Sequence, residues 1–260
     1  EIKMLTIDVT PRLVVDPRAW IIRPEDFKAE ADAGIKDKIG STGEAAGSSL
    51  IRKMWRTQIT NVGQMRLWFG DRGIRVKDTI EYMSHMNRVL VEGCQGTLLG
   101  LHTSPYYPYV TSRECSAAAV IAECGISPLE VADVWGVMRT YPIRVGGNSG
   151  HTGAEELSWQ EVARRSGNPH LIPERTTVTN RQRRIFEISF RDLDHAMRVN
   201  RPSHLALTFL DYVDFGDYGA HEWINLSTKS KQFVTDVEAR LQKRVRWIST
   251  GKEAEAYIVM

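Results

Sequence analysis

The sequence of 260 residues predicts an α/β fold, with a mainly parallel central sheet flanked by helices. Three observations predict it. "LALTFLDYVDF" (205–215) reads as a buried apolar strand that ends in acidic residues. "FVTDVEARLQKRVRWISTG" (233–251) reads as a helix, then a strand, then a turn at Ser249-Thr250-Gly251. Elsewhere apolar strands alternate with helical segments. No internal repeat, low-complexity linker or domain boundary interrupts them, so 1–260 is expected to form a single domain.

The elements follow in order. "RLVVDPRAWII" (12–22) places β-branched runs on either side of an Asp16-Pro17 turn, so it reads as strand, turn, then strand or helix start. Asp26 to Lys36 is a charged helical segment. "IGSTGEAAGSS" (39–49) is a loop of small residues. "LIRKMWRTQITNV" (50–62) carries apolar residues at helical spacing with basic residues between them. Val76 to Leu90 is expected to be a further helix, and Val89 to Val91 a short strand ending at Glu92-Gly93. Because ligands bind where strands of open α/β sheets end, Gly93 to Thr97 is a candidate site. "SPYYPYVTSRECS" (104–116) is a loop, and "SAAAVIAECGI" (116–126) a small-residue helix stopped by Gly125. "VADVWGVMRTYPIRV" (131–145) is an apolar run leading into "GGNSGHTG" (146–153).

Composition narrows the function classes. Hydrophobic residues make up 42% and charged residues 25%, and the formal net charge is +2, so no general nucleic-acid coat is expected. No run of about 18 apolar residues occurs, so no membrane span is expected. Cys94, Cys115 and Cys124 form no C-x-x-C pair, which argues against a disulfide framework or a zinc site and makes a reducing, cytoplasmic setting the expectation. The scattered histidines form no H-E-x-x-H, and no metal ligands are expected within this sequence.

Several short stretches could carry chemistry. The loop at 39–49 looks able to wrap a phosphate, yet it lacks the lysine of a G-x-x-x-x-G-K-[ST] loop. "ERTTVTNRQRR" (174–184) holds Arg175, Arg181, Arg183 and Arg184 beside Thr176, Thr177 and Thr179. On an extended strand Arg181 and Arg183 point the same way, and guanidiniums grip carboxylate or phosphate bidentately. A solvated basic turn is the other reading. Gln95 can hydrogen-bond a heterocycle edge, and Asp211 can accept from the N–H groups of a guanine, or each is structural. His151 is either a catalytic histidine on a glycine loop or part of a mobile loop. The cysteines read as packing residues.

Taken in order, "IGSTG", "EGCQGTLL", "YPYVTS", "RTYPIRVG", "TNRQRR", "LTFLD" and "ISTG" resemble adenylosuccinate synthetase, from about Ile39 to the C-terminus. The resemblance implies a P-loop-NTPase-like fold lacking its N-terminal part. It also implies a Mg2+-dependent ligase that joins L-aspartate to IMP, with GTP or ATP as phosphoryl donor. The donor first phosphorylates the purine 6-oxygen, and the aspartate amine then displaces that phosphate. Ser41 and Thr42 match the loop that holds the acceptor monophosphate, and Thr111 the second phosphate-binding threonine. Arg56 matches the arginine that reaches the partner's site in a homodimer. Gln95 matches the glutamine that helps set the 6-oxyanion, which makes it the catalytic candidate. Val145 falls near the ribose. Thr177, Val178, Thr179, Asn180, Arg181 and Arg183 match the loop that holds aspartate, with Arg181 also near the acceptor nucleotide and Arg183 near the donor. Phe209, Leu210 and Asp211, with Ser249, Thr250 and Gly251, match the donor base site.

There are departures from the family pattern. Phe209 stands where the family has lysine, which opens the donor site to ATP. Asn180 stands where glycine is usual. "GNSGHTGAEE" replaces the segment that usually follows "RVG", and His151 within it is read as coincidental. The "GDEGKGK" segment and the catalytic histidine that follows it fall outside this sequence, which is expected to be a fragment or a truncated homologue. Its length and "VTSREC" are similar to archaeal and phage members, some of which join aspartate to dGMP. A nucleotide-binding pseudoenzyme is the remaining reading.

Overall fold

The computed structural model describes residues 8, 10–56, 61–177 and 179–260. The first strand, β1 (Val14–Val15), turns at Pro17-Arg18 as its sequence suggests. The charged segment that follows is two helices rather than one. α1 (Pro24–Ala33) stops at Gly34, whose φ of 65° lies in the left-handed region, and α2 (Ile35–Ile39) stops at Gly40 with φ 71°. α3 (Ala46–Trp55) packs on α1 through a buried ion pair. Arg52 Nε and Nη2 donate to both oxygens of Asp26 at 2.8 and 2.7 Å, and Asp26 is 3% exposed. The side-chain hydrogen bonds from Arg52 hold the Asp26 carboxyl below the ordinary carboxylate range.

α4 (Arg66–Gly70) precedes β2 (Arg75–Val76), which pairs in parallel with β1. The expected helix over 76–90 is much shorter. α5 (Thr79–Ser84) begins where the Asp78 carboxylate caps the N–H groups of Ile80 and Glu81. The expected strand at 89–91 is irregular backbone. Val89 and Leu90 are 44% and 90% exposed, so their apolar run has no sheet to join among the described residues. α6 (Ala117–Cys124) starts on the Ser116 cap and stops at Gly125, as the sequence predicts.

The main sheet takes the order β3 (Trp135–Arg139), β7 (His204–Thr208), β8 (Val245–Ser249) and β9 (Tyr257–Val259). β3, β7 and β8 run parallel, and β9 returns antiparallel. Between β3 and β7 the chain builds a second sheet. Its strands β4 (Ile143–Arg144) and β5 (Glu156–Leu157) flank β6 (Arg184–Phe186), with α7 (Trp159–Ser166) between β5 and β6. α8 (Phe190–Asn200) leads into β7, and α9 (Thr228–Leu241) crosses from β7 to β8.

Among the described residues two apolar cores form. The larger joins Leu205 and Leu207 of β7 and Val245 and Ile248 of β8 to Val234, Val237 and Leu241 of α9, with Leu210 and Met138 beside them. The smaller gathers Tyr141, Trp159, Val162, Ile185 and Tyr212, with Phe209 against it. Among the described residues no helix is long and apolar enough to cross a membrane. Leu207 is 0% exposed on the central strand of the larger core. Leu207→Ala should therefore cost about 3–5 kcal/mol of unfolding free energy, measured by urea denaturation.

Candidate functional site

The loop at 40–45 sits between two other loops. At Gly40 an added Cβ would stand 3.0 Å from the backbone of Asn148 and Ser149, so only glycine lets the chains approach this closely. Asn148 Nδ2 donates to the carbonyls of Asp37 and Lys38 at the end of α2. At Gly47, in the first turn of α3 directly after the loop, an added Cβ would stand 3.2 Å from Ser112 Cβ, which places the 111–112 segment beside the start of α3. Arg181 Nη1 donates to the Gly40 carbonyl at 3.4 Å. Ser41, Thr42, Thr111, Val145 and Arg181 are thus carried by segments that meet.

Within the loop, Ser41 Oγ donates to the buried Glu30 and accepts from the Gly43 N–H at 3.2 Å. The Ser41 hydroxyl proton is therefore committed inward, and the exposed Thr42 hydroxyl is the one presented outward. A groove of about 460 Å³ opens here, lined by Lys36, Asp37, Gly146, Gly147, Asn148, Arg181 and Gln182. The glycine segment 146–153 is a packed wall rather than a free loop. Gly150 meets the Tyr109 ring, and Arg144 Nη1 and Nη2 donate to the carbonyls of His151 and Tyr109. Burial, with the neighbouring Arg184 charge, lowers the Arg144 pKa.

The arginine segment is not a solvated turn. Arg181 and Arg183 are both half-buried and Gln182 between them is exposed, which matches the extended alternation. Thr176 closes the preceding loop: its N–H donates to the Arg181 carbonyl at 2.9 Å, and its hydroxyl lies 2.6 Å from that of Thr179. Asn180 has φ 51°, the left-handed region that favours glycine and tolerates asparagine. Thr177 is exposed beside it, and Val178 lies outside the described residues.

Glu174 ties this loop to the end of β7. Its Oε1 accepts from Arg139 Nη2 at 2.5 Å and from the Tyr212 hydroxyl at 3.0 Å. Its Oε2 stands 3.9 Å from Arg183 Nε, and that buried Nε has no hydrogen-bond partner among the described residues. The Arg139 guanidinium lies 3.6 Å from the centroid of Phe209. Burial, followed by the Glu174 charge, pushes the Tyr212 phenol up. Neither Glu174 nor Arg139 stands out in the sequence, although Glu174 directly precedes the arginine segment.

At the adjacent ends of β7 and β8, Phe209 (φ 64°) starts a 3₁₀ turn over Leu210–Tyr212, and Ser249 Oγ donates to the Gly251 carbonyl. Leu210 and Thr250 are each 0% exposed, and the Thr250 hydroxyl donates to the Ala220 carbonyl, so both side chains face inward. Asp211 is 7% exposed, and burial raises its carboxyl to about 6. Two residues stand apart from these groups. Gln95 is exposed and accepts from the Cys94 thiol, and Arg56 is exposed at the end of α3 with φ 58°.

Asp211 carries a stability consequence. Its pKa in the fold lies above the unfolded value of 3.8, so the protonated form is favoured, and stability falls as pH rises from about 4 to about 6. Asp211→Asn should raise stability at pH 7.5 by up to about 3 kcal/mol and flatten this slope, as read from urea unfolding at both ends of the window.

Comparison with known proteins gives the family. The family model of adenylosuccinate synthetase matches residues 69–218. The adenylosuccinate synthetase of Methanococcus maripaludis is 36% identical across 99% of this chain and 74% of its own length. That of Methanocaldococcus jannaschii is 35% identical, covering 97% and 71%. Among solved structures, the succinoaminodeoxyadenylate synthetase PurZ of cyanophage S-2L, bound to dGMP and to dATP as an energy donor, matches with a TM-score of 0.74. It shares 29% identity and covers 95% of this chain and 68% of its own. The fully ligated adenylosuccinate synthetase of Plasmodium falciparum has the same fold, with a TM-score of 0.82 at 19% identity, covering 98% and 79%. A sheet ending in a buried acid, an arginine loop closed on a glycine loop, and sequence identity along nearly all of its length place this chain in the adenylosuccinate synthetase family of C–N ligases.

Proposed function

We propose that the protein joins L-aspartate to IMP, with hydrolysis of GTP or ATP, through a 6-phosphoryl intermediate. The observation that supports this reading best is the Arg181–Gly40 contact, which unites an arginine loop with a loop of phosphate-binding character. Thr42, Thr111 and Arg181 would hold the acceptor monophosphate, with Val145 beside the ribose. Thr177, Thr179, Asn180 and Arg183 would hold the aspartate carboxylates, and Val178 belongs to the same loop. Phe209, Leu210, Asp211, Ser249, Thr250 and Gly251 would receive the donor, Leu210 and Thr250 through backbone groups alone.

In the first step the purine N1–H gives up its proton to a base, the 6-oxygen bonds to the γ-phosphorus of the donor, and the bond from that phosphorus to the nucleoside diphosphate breaks. In the second step the aspartate nitrogen bonds to C6, the C6–O bond breaks, phosphate leaves, and the amine gives up a proton. Gln95 would hydrogen-bond the nucleotide near the 6-oxygen during the first step. The family implies Mg2+. Among the described residues no three His, Cys, Asp or Glu side chains gather to hold a metal; Mg2+ at such sites is held largely by substrate phosphates with one or two carboxylates, and no step is routed through it.

A second acceptor has its own support: the matched PurZ structure is bound to dGMP. Incubating the protein with aspartate, GTP or ATP, and either IMP or dGMP separates the two. Phosphate release and a succinyl-purine product are expected with IMP. Turnover with dGMP alone would move the assignment to the second acceptor, and turnover with neither would reject both.

Arg56 is assigned to the partner's acceptor site in a homodimer, a role that fits its exposed position at the end of α3. Arg56→Leu should raise the KM for the acceptor monophosphate about tenfold or more, since a charge-assisted contact is worth about 1.5–3 kcal/mol. Mixing Arg56→Leu with Arg181→Leu subunits should restore up to about one quarter of wild-type activity, because half of the dimers then hold one intact site. Absence of rescue would count against a shared site.

A further inference from the structure

We propose that Arg139 is a specificity-determining residue for the donor nucleotide, donating from Nη1 to O6 of a guanine whose N1–H and N2–H groups are held by Asp211. This rests on the assignment of Asp211 to the donor base site.

The geometry that supports it begins with how Arg139 is fixed. It is the last residue of β3, beside Thr208 of β7 in the register, and so only a few residues from Asp211 across the strand pair. Nε donates to the Tyr141 carbonyl at 3.2 Å, Nη2 donates to Glu174 at 2.5 Å, and the plane rests on Phe209. Three constraints on one guanidinium leave it little rotational freedom. They use Nε and Nη2, and Nη1 makes no hydrogen bond among the described residues.

The second half of the reader is Asp211. No other described residue donates to its carboxylate, and it is almost fully buried. Arg139 pairs in register with Thr208, three residues before Asp211, so both side chains belong to the same sheet end. The pair therefore offers an acceptor beside a donor. The Watson–Crick edge of guanine is the complement, with N1–H and N2–H donors beside the O6 acceptor. Adenine presents an amino group where guanine has O6, and an unprotonated N1 where guanine has N1–H. Against this pair, adenine sets donor against donor and acceptor against acceptor. Phe209, in the place of the family's lysine, then serves as the support on which the arginine lies.

The test compares steady-state kcat/KM for GTP and ATP in the full chain. The wild type is expected to prefer GTP, and inosine triphosphate, which keeps O6 and N1–H, should stay within about tenfold of GTP. Arg139→Met keeps the apolar contact with Phe209 and removes the donor. It should lower the GTP/ATP ratio by about tenfold or more, chiefly through loss on GTP. Arg139→Met/Glu174→Gln carries the same comparison without leaving a carboxylate stripped of its arginine. Asp211→Ala runs in parallel. If Asp211→Ala leaves the GTP/ATP ratio unchanged, the base-site assignment is wrong. If Asp211→Ala collapses the ratio and both Arg139 variants keep it, the role of Arg139 is overturned. A wild-type preference for ATP overturns it as well.

Discussion

One buried hydrogen bond organises the end of β7. The hydroxyl of Thr140, itself 0% exposed, donates to the Phe209 carbonyl at 2.7 Å. Phe209 has φ 64°, a conformation that costs a bulky side chain of order 1–3 kcal/mol and persists only where the surroundings impose it. Here Thr140 grips its carbonyl while Arg139 covers its ring. The reversal sends successive side chains to different destinations: Phe209 toward the smaller core, Leu210 into the larger, and Tyr212 back into the smaller. Asp211 is left facing the sheet end. The two cores are thus stitched together by four residues, and the same four carry the acid assigned to the donor base.

Charge is distributed with equal economy. Of the arginines in the 174–184 segment, Arg175 is exposed, and the other three are held within the structure. Arg184 is paired with Glu156, Arg183 stands beside Glu174, and Arg181 leans on a carbonyl. Arg183 and Arg184 thereby stay half-buried beside an opposite charge, as a low-dielectric interior requires, and Arg181 is held by a carbonyl oxygen. Arg183 is held at 3.9 Å, at ion-pair range but beyond a hydrogen bond, so its guanidinium is positioned without being saturated by Glu174.

The parts of the fold that were legible in the sequence are those governed by local periodicity and punctuation. α9 followed by β8, the buried strand β7, and the stop of α6 at Gly125 all follow from such signals. Val89 to Val91 misled because an apolar β-branched run becomes a strand only beside a partner, and pairing is a non-local property. The helix expected over 76–90 starts later, because the Asp78 cap fixes its first turn, and it ends at Ser84 with no stop signal in the sequence. At the site, residue types were visible and their partners were not. Glu174 is one acid among many in the sequence, and its contacts with Arg139 and Tyr212 span 35 and 38 residues. Asn148 was likewise hidden inside a stretch that reads as a mobile glycine loop, although its side chain clasps the end of α2.

The close approach at Gly40 has a consequence for how such a protein can change over generations. Gly43, a few residues on, has open space where a side chain would go, yet its positive φ still favours glycine. Gly40 is closed on both counts, by its own φ and by the backbone of Asn148 and Ser149. No substitution at 40 is neutral unless the 146–153 segment moves, and no change in the length of that segment is neutral unless the turn at 40 follows. Two stretches more than a hundred residues apart in the chain are therefore coupled through one backbone contact, so a side chain at one demands a shift of the other.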